Sequence, residues 1–166
     1  VSAVAGHGDI MRLMEEVFFS FTMGGETLSL AAAGAVMTKL QNEPVVERLS
    51  DQGRKVVDGT RRLIQSHGIG DIISVSGHPC WSFLNFAAAP PYTKWQLYTL
   101  FLQEIFARGV LCLSTHNMSY AHGDEDVAVL LHVYNEVFPL LRDAVDNRDL
   151  DSRLRCSPLQ PLFRVR

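Results

Sequence analysis

The stretch from Phe21 to Val36, FTMGGETLSLAAAGAV, constrains this chain more than any other. It sets Thr22 and two adjacent glycines directly before a run that carries no charge from Thr27 to Thr38. The run predicts a helix from Glu26 or Thr27 to about Leu40, halted by Asn42 and Pro44. Its small side chains occupy nearly every face, so it should be buried on most sides, with neighbouring backbones approaching closely. At its head, unpaired N–H groups and a partial positive charge meet glycines and a Thr hydroxyl. These are the parts of a phosphate site. The spacing is neither G-x-G-x-x-G nor a P-loop, and a plain strand-to-helix turn uses the same residues.

Composition removes several classes. The chain has 166 residues, 47% hydrophobic and 20% charged, which suits one core with an appendage and not a disordered segment. A net charge of -3 gives no electrostatic case for nucleic acid or an acidic membrane. The arginines from Arg148 onward interleave with Asp146, Asp149 and Asp151, as in a solvated tail. Cys80, Cys112 and Cys156 form neither a metal-like pair nor an even disulfide set, so a reducing, cytoplasmic setting is expected. No apolar run approaches the ~20 residues that span a bilayer. Val1 opens the chain in the middle of an apolar phrase, as if cut from something longer.

The remaining elements follow from period and punctuation. VSAVAG (1–6) reads as a buried strand and VFFSF (17–21) as another. Between them Asp9 caps a helix through Glu16, with Ile10, Leu13 and Met14 inward. Pro44 opens a helix over 45–65 with Val46, Leu49, Val56, Val57, Leu63 and Ile64 inward, closed by Gly68 and Gly70. DIISVS (71–76) and WSFLNF (81–86) form a hairpin, and AAAPPY breaks the chain. A helix over 93–108 turns Trp95, Tyr98, Phe101, Leu102 and Ile105 inward and stops at Gly109. VLCLS (110–114) is a third strand, and Asp124 caps a last helix with Leu131, Tyr134, Phe138 and Leu141 inward and a kink or break at Pro139.

Residues 1–40, with GHPCWSFLNF and LFLQEIFARGVLCLSTHNMSYAHGDEDV, resemble the class III pyridoxal-phosphate (PLP) aminotransferases, especially their glutamate-1-semialdehyde aminomutase-like branch. The likeness runs from Val1 to about Asp146. It implies an α/β fold-type-I PLP transferase, in its C-terminal part. Residues 1–42 would be a remnant of the large domain, and 43–146 an α+β small domain with a three-stranded, mostly antiparallel sheet covered by helices. Residues 147–166 would be an irregular tail. The resemblance also implies a homodimer in which Thr22, Gly24 and Gly25 reach the partner subunit's cofactor phosphate, the helix start adding N–H donors. Asn117, preceded by His116, would lie near substrate. The substrates would be an amino donor and an aldehyde or keto acid acceptor.

The Schiff-base lysine of that family falls upstream of Val1, and Lys39, Lys55 and Lys94 do not stand at its position. The 166 residues alone are therefore expected to hold no catalytic residue and to be inert. The alternative is a non-catalytic dimerisation or interaction module derived from the same fold. Other candidate sites fit less well. His116, His122, Asp124 and Asp126 lack the fixed geometry of a metal site. Cys80 or Cys112 beside a His lacks an activating environment, Cys112 lying in an apolar strand. Ser29 lacks the glycines of a nucleophile elbow. Trp95, Tyr98 and Phe101 form a core stripe, and His132 a satisfied core or edge imidazole.

Overall fold

A computed structural model describes residues 2–18 and 22–161, and it divides into two compact units, Val1–Val45 and Val46–Arg166. The first holds α1 (Gly8–Met11), a 3-10 turn (Arg12–Glu16) and α2 (Thr27–Asn42). Helix α2 forms over the expected residues, but it is not buried on most sides. None of its side chains is buried, and Leu28 is 76% exposed. Among the described residues of this unit only one short helix and a 3-10 turn accompany it, too little to make a covering layer.

Further expectations fail here. Residues 2–6 form no strand, because no strand pairs with them among the described residues. His7, not Asp9, holds the N-cap position of α1, and the helix tightens into the 3-10 turn at Arg12. Ile10 and Leu13 are exposed. Val17 and Phe18 are not in a strand, and Phe19, Ser20 and Phe21 lie outside the described residues.

The second unit is built from α3 (Val45–Ser66), β1 (Ile73–His78), β2 (Trp81–Phe86), α4 (Lys94–Ala107), β3 (Thr115–Asn117), α5 (Asp124–Asp146) and α6 (Leu150–Arg153). The expected three-stranded sheet with helices forms, in the order β1-β2-β3 and antiparallel throughout. Pairing from Ile73↔Phe86 to His78↔Trp81 leaves Pro79 and Cys80 as a two-residue turn. Gly77 sits at φ +92, a conformation that glycine adopts without strain. Gly53 of α3 lies so close to the Pro79 carbonyl that a Cβ there would overlap it. That glycine lets a helix backbone rest against the hairpin turn.

Helix α4 begins in a capping box: the Thr93 hydroxyl accepts the Gln96 N–H at 3.3 Å, and the Gln96 side chain accepts the Thr93 N–H at 2.9 Å. Leu97, Phe101 and Ile105 of α4 meet Tyr134, Phe138 and Leu141 of α5 in the core. Phe101 and Tyr134 lie 5.7 Å apart between ring centroids, and Tyr134 stacks on Phe138 at 5.2 Å. Trp95 and Tyr98 are only half-buried, while Leu97 and Leu100 take fully buried places that the aromatic stripe did not include. Val46 is likewise exposed, and Leu63, Ile64 and Leu131 are half-buried.

Three boundaries moved. Residues 110–113 are not a strand, and the third strand forms at Thr115–Asn117. Ser114, at φ 59, interrupts the extended run, and Leu111 is 86% exposed. Gly123 takes the N-cap of α5, its N–H donating to Asp126 Oδ2 at 2.8 Å, while Asp124 accepts from Gln52 and Lys55 instead. Pro139 does not break α5, which continues to Asp146. Beyond it, α6 buries Leu150 completely, so part of the expected irregular tail is helical and packed.

Candidate functional site

Thr22 to Gly25 form an exposed turn directly before α2. A Cβ placed on Gly25 would meet nothing within 4 Å, so its own packing does not require a glycine there. The space is open to a ligand or a partner chain. Glu26 is the N-cap of α2, and its carboxylate accepts the N–H groups of Leu28 at 2.8 Å and Ser29 at 2.6 Å. Hydrogen bonds from the Ser29 side chain, then from the Ser29 and Leu28 backbone, hold that carboxyl below its usual range. Two of the helix-head donors expected for a phosphate are therefore already taken. What remains for an anion is the turn itself, with the Thr22 hydroxyl.

In the second unit, Asn117 ends β3 and is exposed, while His116 beside it is buried. Strand alternation accounts for the contrast, since neighbouring side chains face opposite sides. Both residues line a cavity of about 430 Å³, whose walls include Val56, Cys112, Val127 and Leu130. His122 also lines it, and its Nδ1 accepts the Ser119 N–H at 3.0 Å, which leaves Nε2 as the protonated nitrogen of the neutral ring.

His116 uses both ring nitrogens inside the protein. Nδ1 lies 2.9 Å from Ser82 Oγ and Nε2 lies 2.8 Å from the Tyr134 hydroxyl. Burial pushes its pKa down from 6.5 to about 4, and burial also raises that of Tyr134 well above its usual value. Both groups are neutral near pH 7. Cys112 donates its thiol to the Thr115 carbonyl at 3.4 Å. The link is not legible in the sequence, because its partners lie 34 and 18 residues away.

Other candidates resolve into structural roles. Lys39 pairs with Glu43 at 2.8 Å, Lys55 with Asp124, and Lys94 lies 5.0 Å over the Trp95 ring. His132 is exposed and 3.2 Å from Glu136. Among the described residues no group of three metal-ligating side chains converges, and no helix is long and apolar enough to cross a membrane.

Comparison with known proteins bears on the whole arrangement. No family model matches the chain. Ornithine aminotransferase 1 of Staphylococcus aureus strain MRSA252 is 29% identical over 121 residues, covering 70% of this chain and 26% of that protein. The protein of the same name from strain Mu50 matches at the same identity and coverage. The solved PLP internal aldimine form of the FumI protein from Sphingopyxis sp. MTA144 aligns with a TM-score of 0.70 at 23% identity, over 83% of this chain and 33% of that one. The curated likenesses are to aminotransferases. The structural match shows the fold, which is the fold expected. The chain spans about a quarter of the length of the curated relatives it matches.

Proposed function

We propose that this chain is part of a PLP-dependent aminotransferase, of the class III, aminomutase-like kind, that moves an amino group between an amino compound and an aldehyde or keto acid. The observation that carries the reading is the open turn at Thr22–Gly25, standing at the head of α2 in a chain that shares its fold with a PLP-bound protein. The turn fits the cofactor's phosphate in part. Thr22 offers a hydroxyl, and Gly24 and Gly25 allow close backbone approach, while Glu26 has taken the amides of Leu28 and Ser29. In a homodimer these three residues serve the partner subunit's cofactor. Asn117, exposed at the rim of the 430 Å³ cavity, orients the substrate through its amide. PLP, when bound, supplies an electron sink for the reacting amino group.

The test is cofactor affinity in the complete dimer. Thr22→Ala should weaken binding by about 1–3 kcal/mol, the usual loss when a hydrogen bond to a charged group is removed. Unchanged affinity would end the assignment of Thr22. The exposed Leu28, Val36, Met37 and Leu40 of α2 favour a second role for the first unit, as an apolar surface for association.

A further inference from the structure

Strand β3 is three residues long and lies at the edge of its sheet. A strand so short gains little from its ladder alone. Among the described residues it pairs only with β2, through Trp81↔Asn117, Ser82↔His116 and Phe83↔Thr115. Yet its end must be well placed if Asn117 is to present an amide to a ligand. Ser82 is fully buried, His116 is 4% exposed and Tyr134 is fully buried. Ser82 faces His116 across the ladder, and Tyr134 rises from α5 to meet the other side of the ring.

We infer that His116 is a positioning residue: bridging Ser82 of β2 and Tyr134 of α5, it fixes β3 and so sets where Asn117 stands. The bridge joins three separate elements through one side chain. A phenol that keeps its proton can donate to Nε2, so Nδ1–H donates to Ser82 Oγ; the opposite order also satisfies both nitrogens. Either way each ring nitrogen has a partner. Removing one partner leaves a buried polar atom unpaired, which loosens the attachment it served. The inference rests on the reading of Asn117 as a substrate contact, but the placing of β3 can be measured without substrate.

Amide hydrogen exchange on the full chain reads it directly. The Met118 N–H donates to the Cys80 carbonyl at 3.0 Å and the Leu84 N–H to the Ser114 carbonyl at 2.8 Å, so these two amides report β3 and its entry. The Ala87 N–H, which donates to the Ile72 carbonyl at 2.8 Å, reports the β1–β2 end. Tyr134→Phe and Ser82→Ala should each speed exchange at Met118 and Leu84 by about tenfold, leave Ala87 unchanged and shift the Asn117 side-chain amide resonances. No change at Met118 and Leu84, or equal acceleration at Ala87, overturns the inference. In the complete enzyme, Tyr134→Phe should raise KM with kcat kept, and add nothing once Asn117 is already Ala. Full additivity would overturn the positioning role. If Asn117→Ala leaves KM unchanged while exchange behaves as expected, the substrate reading falls and the placing of β3 stands.

Discussion

Helix α2, with sixteen residues, and helix α4, with fourteen, both carry apolar side chains on almost every face, yet α4 buries six of its residues and α2 buries none. The difference lies in what each finds within its own unit. Helix α4 finds α5, α6 and the sheet, and its aromatic side chains interlock with theirs. Among the described residues of its unit, helix α2 has no such layer. An apolar helix therefore states that it needs covering, and the sequence of the helix does not say by what.

The largest effect expected from this contrast is at Phe101. Phe101→Ala should destabilise the second unit by about 3–5 kcal/mol, as loss of a buried aromatic does. Leu28→Ala on α2 should stay within about 0.5 kcal/mol. Urea unfolding of the two variants checks both, and equal losses would break the contrast.

Acid is the next lever. His116 titrates at about 4 in the folded state against 6.5 when unfolded, because burial disfavours its charged form. The unfolded chain therefore binds the proton more readily. The stability contributed by the neutral ring is whole above pH 6.5 and is lost as the pH falls toward 4. The loss should reach about 3 kcal/mol, seen as a falling urea midpoint that His116→Gln flattens. Ser82 and Tyr134 meet the two ring nitrogens, and neither brings a charge to offset it near neutrality.

Two glycines sharpen the comparison further. Gly53→Ala forces a Cβ onto the Pro79 carbonyl and should destabilise by about 1–3 kcal/mol. Gly34→Ala in α2 meets nothing within 4 Å and should gain up to about 1 kcal/mol of helix stability. The same substitution thus changes sign between the two regions, which thermal melts of the variants will show. The smallest effect is at Glu26. Glu26→Ala should leave unfolding of the second unit untouched while speeding amide exchange at Leu28 and Ser29, the two donors it caps.

Much of this architecture was legible in the sequence. The helices α2 to α5 and the hairpin appear where period, caps and glycines placed them, because each depends on nearby residues. That residues 2–6 form no strand was not legible, since a strand exists only with a partner and none is present among the described residues. The move of the third strand to Thr115–Asn117 depends on the backbone at Ser114, which no side-chain pattern announces. At the loop, Thr22 and its glycines were readable as a turn before α2, but Glu26 was read as a helix start and not as a competitor for the amides behind it. The Ser82–His116–Tyr134 link joins residues remote in sequence, so only the fold reveals it.

The segment after α5 bears on how the chain can be handled. Leu150 fills a closed socket, the Arg155 N–H donates to Gln103 Oε1 at 2.7 Å, and the Leu159 N–H donates to Thr99 Oγ1 at 2.8 Å. These stitches run back along α4. A shortened version ending near Asp146, or a tag inserted there, would strip a seam from the outside of the core and bare the hydroxyl and amide that fasten it. Crystallographers trimming this protein should leave everything through Leu159 in place.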